Sequence, residues 1–158
     1  MENQQKINIL HEEIKIQIDK TVKRSKENKL KGFGIYIAIS ILSALITFLV
    51  AIKESIPSTP ENIDLINFSI KSFILLAGAS ITILSAWEGF YNHKQLWLNY
   101  GETASQLKNL EFKIRLLSDE EINNNDTVIS LRLELEAILD NARSKWKDLR
   151  IEEASMKD

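Results

Sequence analysis

Two histidines, an acidic triplet and an ordered row of hydroxyls are the groups in this sequence whose types could bind or react. His11 and His93 lie far apart, neither has ligand-like spacing to another donor, and the chain has no cysteine. Thiolate chemistry and Cys-based zinc sites are therefore excluded, and each histidine reads as a solvated surface or interface residue. The triplet Asp119, Glu120, Glu121 has the composition of a cation site. Its commoner use is at a helix N-terminus, where negative charge meets the favourable end of the helix dipole. No P-loop or glycine-rich nucleotide fingerprint occurs, and no nucleophile pairs with a base. The expectation is a protein that is not an enzyme and uses no metal and no cofactor.

The hydroxyls stand out by their order. Tyr36, Ser40, Ser43 and Thr47 follow one another at steps of four, three and four inside the uncharged run from Phe33 to Ile52, so a helix places them on one narrow stripe. A second apolar run puts Gly78, Thr82 and Ser85 on one face, with Lys71 one heptad before Gly78 and Glu88 near the far end. One chemistry available to such stripes is helix packing, in which small residues allow close approach and a hydroxyl bond across the contact contributes about 0.6 kcal/mol. The other is a watery path. Repeated around a ring of subunits, the stripe lines a pore, the Leu and Ile rings between hydroxyls form a dewetting gate, and Lys71 and Glu88 become charges at its mouths.

The elements that must carry these stripes are membrane helices. At about 1.5 Å per residue the first run measures roughly 30 Å, the hydrocarbon thickness of a bilayer. Twelve of its residues are Phe, Ile, Leu or Val, favouring insertion by something on the order of 5 kcal/mol in total. A cleaved signal peptide would begin earlier and have a shorter core. The second run is uncharged from Ser72 to Trp87, roughly 24 Å, and Lys71 extends it by reaching to the nearer headgroups. Both prolines fall between the two runs and end both helices.

Orientation follows from charge. Six Lys and Arg residues lie between Lys20 and Lys31, whereas the connecting turn holds only Lys53; basic flanks stay cytoplasmic, so both termini are expected there. Phe33 and Tyr36 on one helix, and Trp87, Phe90 and Tyr91 on the other, then share the inner interface.

Outside the spans the pattern turns amphipathic. Ile7, Leu10, Ile14, Ile18 and Val22 repeat at helical spacing. So do Leu96, Tyr100, Thr103, Leu107, Leu110, Ile114 and Leu117 after the spans, and Leu131, Leu135, Ile138, Ala142, Trp146 and Leu149 near the C-terminus. "SDEEINNNDT" interrupts the last two, giving a helical hairpin with Asp126 or Thr127 as the expected cap of the final helix. The fold class is an all-α membrane protein, a two-helix transmembrane hairpin with cytoplasmic amphipathic helices forming a bundle or coiled coil. Its parts are a basic amphipathic helix at 1–32, spans at 33–52 and 67–90, an extracytoplasmic turn at 53–66 and a cytoplasmic helical hairpin at 91–158. At 158 residues there is no room for a further catalytic domain, and a net charge of −2 gives no reason to expect nucleic acid as a partner.

The layout, with "WLNYGETASQLKNLE" after the second span, resembles the SLATT superfamily and in particular its DUF4231-type members, bacterial proteins with two transmembrane helices and a cytoplasmic helical extension. The matching positions are Trp97, Tyr100, Glu102, Ala104, Leu107 and Glu111. Family members often carry a basic residue beside the Tyr, where this chain has Gly101. The coiled-coil helices offer a means of forming the expected homo-oligomer, and the resemblance implies an effector of the bacterial cytoplasmic membrane, in conflict and antiphage systems where such domains are thought to form pores. It also implies a trigger from a separate sensor protein or a nucleotide signal. A membrane-anchored scaffold or sensor, whose spans only localise a coiled-coil interaction module, is the competing expectation.

Overall fold

The computed structural model describes residues 2–55 and 63–155, with side chains for 2–52 and 67–149. All elements among the described residues are helical: α1 (Glu2–Ser55), α2 (Ile63–Tyr91), α3 (His93–Arg115), α4 (Asp119–Asn123) and α5 (Asn125–Ser155). Scarce Gly and Pro and abundant Leu, Ile, Lys and Glu are the local cause. Of the turn expected at 53–66, residues 53–55 belong to the end of α1 and 63–66 to the start of α2; the remainder, 56–62 with Pro57 and Pro60, lies outside the described residues.

The helices belong to two compact units, one of Met1–Lys29 with Lys94–Asp158 (unit 1), the other of Leu30–His93 (unit 2). In unit 1 the three amphipathic stripes meet in a single apolar cluster: Ile7, Ile14 and Ile18 from α1, Leu107, Leu110 and Ile114 from α3, Leu131 and Leu135 from α5. Each stripe repeats at three and four residues and so presents one face, which is buried against the other two. Ile14, Leu107 and Leu110 are completely enclosed, and full burial of such a side chain contributes about 1.5–3 kcal/mol.

The acidic triplet opens α4. Ser118 is its N-cap, and a reciprocal capping box joins the Ser118 hydroxyl to the Glu121 N–H and the Glu121 carboxylate to the Ser118 N–H at 2.8 Å. Those bonds from the Ser118 backbone and hydroxyl hold the Glu121 carboxyl below its ordinary value. The cap of α5 is neither Asp126 nor Thr127. It is Asn124, whose Oδ1 accepts from the Asp126 N–H at 2.9 Å. The run of three asparagines lets α4 end and α5 begin two residues earlier than the hydrophobic stripe alone suggests.

Unit 2 holds only the second half of α1, α2 and the residues up to His93. Its partly shielded positions form one stripe on each helix, Ile35, Ala38, Ile39, Leu42, Ile46 and Leu49 on α1 and Ile70, Ile74, Ala77, Ile81 and Leu84 on α2. With no third helix in the unit, that shielding comes from the facing helix. Elsewhere the apolar side chains are bare: Leu75 is 74% exposed and Phe68 69%. No residue in the most apolar stretch of α1 is buried, and Ala77 is the one buried residue of α2 among its described side chains. A core helix of a water-soluble protein shows the reverse. The fold is thus all-α, with two helices long and apolar enough to cross a membrane.

Asn92 separates α2 from α3. Its φ of 43° is the one positive value outside glycine among the described residues, and its N–H donates to the Glu88 carbonyl at 2.7 Å. Asn tolerates this left-handed conformation better than most residues, and one such residue suffices to stop a helix.

Candidate functional site

The first-span stripe lies away from the shielded face of α1. Tyr36, Ser40, Ser43 and Thr47 are all exposed. The Ser40 hydroxyl donates to the Tyr36 carbonyl at 2.9 Å, Ser43 to Ile39 at 2.9 Å and Thr47 to Ser43 at 3.0 Å. Each donor is thus satisfied one turn back on its own helix, while the oxygen keeps acceptor capacity toward whatever covers the stripe. On α2, Thr82 donates to the Gly78 carbonyl at 3.1 Å, and Thr82 and Ser85 are exposed. A Cβ on Gly78 would meet nothing within 4 Å, whereas the neighbouring Ala77 is buried. Lys71 is exposed.

Glu88 has a different setting. Its Oε2 lies 2.8 Å from His93 Nδ1, with the histidine side chain 7% exposed and the glutamate 29%. The His93 ring also packs on Tyr91 at 5.5 Å between centroids, and Tyr91 meets Trp87 at 5.2 Å and Phe90 edge-on at 4.9 Å. Of the two settings the sequence leaves open for His93, solvated surface or interface, it does not take the first; it closes an aromatic cluster at the end of α2. His11 likewise has a partner, Glu111 Oε1 at 3.3 Å.

The motif residues after the second span are gathered in unit 1 against the basic segment of α1 and against α5. Lys29 Nζ lies 5.1 Å from the Trp97 ring centroid and the Arg24 guanidinium 6.0 Å from that of Tyr100, both within cation–π reach. Ser25 donates to the Trp97 carbonyl at 3.3 Å. Glu102 receives Lys145 of α5 on both oxygens at 2.7 Å, and Glu111 holds Arg115 at 2.6 Å besides His11. Ala104 and Leu107 are buried, Leu107 completely. The motif thus supplies core residues, ties between helices and seats for cations, which is chemistry of assembly. A side chain at Gly101 would find only Ser25 Oγ, at 3.9 Å.

None of these cross-helix pairs is visible in one dimension. The partners of Glu102 and Glu111 lie 43 and 100 residues away, and His93 reaches Glu88 only because Asn92 breaks the helix between them. Among the described residues no group of three or more His, Asp or Glu is placed to hold a metal ion.

No curated protein and no solved structure matches the chain. The family described as DUF4231, a protein of unknown function, matches residues 17–113, a range that takes in the basic segment, both apolar helices and the motif that packs on the basic segment. More than half of the sequence is covered, in agreement with the SLATT-type resemblance, and the chain belongs to the DUF4231 family.

Proposed function

We propose that the protein is a pore- or channel-forming effector of the bacterial cytoplasmic membrane, acting without catalysis as a homo-oligomer of two-span hairpins. The observation that carries this reading is the stripe of Tyr36, Ser40, Ser43 and Thr47, exposed on α1 beside a separate face shielded by α2. One hairpin cannot enclose a path, whereas a ring of copies turns the free stripe of each into a continuous polar lining. Leu and Ile rings between the hydroxyls form the gate, and Lys71 and Glu88 stand toward its ends. The spans are taken as 33–52 and 67–90, joined by an extracytoplasmic turn at 53–66, with both termini on the cytoplasmic side as the basic segment favours. The helices of 1–32 and 91–158 work as a cytoplasmic bundle or coiled coil through which a separate sensor protein or nucleotide signal opens the pore. The role in antiphage defence comes from the SLATT-type resemblance.

The test is ion conductance of the purified protein in planar bilayers, native chain beside the Ser40→Leu, Ser43→Leu variant. Discrete current steps altered by the leucines support the lining. Steps indifferent to them remove it.

A second reading has its own observation. Ser40, Ser43 and Thr47 are already bonded to their own helix, so these three hydroxyls require no water beside them. A membrane-anchored scaffold fits this, and it predicts that a foreign two-span hairpin replacing residues 33–87 preserves function.

A further inference from the structure

We infer that the groove between α1 and α3 in unit 1 seats the phosphate of an anionic membrane lipid. The inference rests on the reading of Phe33 to Ile52 as a membrane span and holds whether or not the spans conduct. A cavity of about 370 Å³ opens between the two helices. Lys26 and Lys29 of α1 and Lys108 of α3 line it, and no carboxylate is among its lining residues, so it favours an anion. Gly101 leaves it room, since a Cβ there would meet only Ser25 Oγ, at 3.9 Å. Among the described residues no ion pair ties any of the three lysines to a carboxylate. Lys29 Nζ lies 5.1 Å from the Trp97 ring centroid, a contact that steadies the ammonium and leaves its charge uncancelled.

Position along the chain decides which anion. Lys29 and Lys26 stand four and seven residues before Phe33 on α1, about 6 and 10 Å at the rise of a helix, and the polar layer on each side of the hydrocarbon is roughly 5–8 Å deep. Lys29 therefore falls at headgroup depth, and the flexible stem of Lys26 covers the remainder. Trp97, six residues after the end of α2, adds a ring of the kind that favours that interface. Lipid phosphodiesters are always present there. Lysine meets a phosphate as a point charge, while three ammonium groups repel the cation of a zwitterionic headgroup, leaving lipids of net negative charge. The other cavities of unit 1 fit less well. One of 490 Å³ takes its α1 cation from Arg24, nine residues before Phe33 and over the Tyr100 ring, and its Arg143 is paired with Asp140. One of 510 Å³ mixes Lys6 and Arg132 with Glu13 and Glu136 and has no reason to choose an anion.

The experiment is native mass spectrometry of the full chain released from detergent micelles, with phosphatidylglycerol and phosphatidylcholine added at equal concentration and the lipids held per chain counted. Phosphatidylglycerol is expected to bind about tenfold or more tightly than phosphatidylcholine, and glycerol 3-phosphate, the same phosphate without its tails, to compete weakly. Lys26→Gln with Lys29→Gln removes most of the preference. Lys20→Gln with Lys31→Gln takes the same charge from the opposite face of α1, at about 100° per residue, and leaves the preference in place although Lys31 is nearer to Phe33 than either cavity lysine. All four side chains are exposed, and an unchanged melting temperature verifies the fold of each variant. Equal affinity for the two lipids overturns the proposal. A preference that survives the loss of Lys26 and Lys29, or that falls equally with either pair, overturns it too, the second being the mark of a basic flank that attracts anions diffusely. Glycerol 3-phosphate displacing the lipid at matched concentration overturns it by making the site one for a free phosphate. Carbonate extraction of the chain from lipid vesicles separates the two readings: a chain that washes out overturns the span and this inference with it, whereas one that stays and shows no lipid preference overturns this inference alone.

Discussion

His93 Nδ1 sits 2.8 Å from Glu88 Oε2 across the single-residue break between α2 and α3. A hydrogen bond to a charged group contributes about 1.5–3 kcal/mol, and this one is mostly withdrawn from solvent. His93→Ala is expected to lower the unfolding midpoint of the detergent-solubilised chain by a corresponding amount, with His93→Gln recovering part of it. An unchanged midpoint in the alanine variant would remove the pair from any account of stability.

The break itself is testable at Asn92. Its φ of 43° costs an ordinary L-residue roughly 1–2 kcal/mol and glycine nothing. Asn92→Ala should therefore destabilise by about 1 kcal/mol in thermal unfolding, while Asn92→Gly stays close to the native chain.

Acid sensitivity is expected at Glu111. Burial raises its carboxyl, but hydrogen bonds from His11 and Arg115 outweigh that and hold it below the ordinary 4.5. In acid the unfolded chain then binds more protons than the folded one. The stability Glu111 contributes is complete above about pH 4.5 and is lost as pH falls through the lowered folded-state value. The gap in melting temperature between the native chain and Glu111→Gln should be open at neutral pH and close below that point. A gap that widens toward acid would reverse the sign.

Leu107 and Leu110 are fully enclosed whereas Leu98, on the same helix, is 47% exposed. Truncation to alanine is expected to cost about 2–5 kcal/mol at either enclosed site and within about 0.5 kcal/mol of nothing at Leu98, read by chemical denaturation.

Gly101 sits inside α3 with room for a side chain. Gly101→Ala should raise stability by up to about 1 kcal/mol through helix propensity. A loss instead would mean that the position touches something beyond this chain.

Periodicity made the architecture legible. Ile14, Leu107 and Leu110 fall on stripes that a helix must bury, and the uncharged run after Lys31 announces a membrane-length helix by length alone. Pairings that depend on a third dimension were hidden, as with Glu102 and Lys145. Asn124 escaped as a cap because three adjacent asparagines compete for the role. Trp146 belongs to an apolar stripe by spacing yet is 45% exposed, because near its end α5 lines a cavity instead of closing a core.

The hydroxyls of Ser40, Ser43, Thr47, Ser80 and Thr82 each donate to a carbonyl one turn back on their own helix. A polar group that enters hydrocarbon already satisfied needs no neighbour on arrival. If the chain works as the homo-oligomer proposed above, biogenesis can therefore proceed in order, each hairpin entering lipid alone and copies meeting afterwards by lateral diffusion. In that case the abundance of the protein in the membrane sets how fast it assembles.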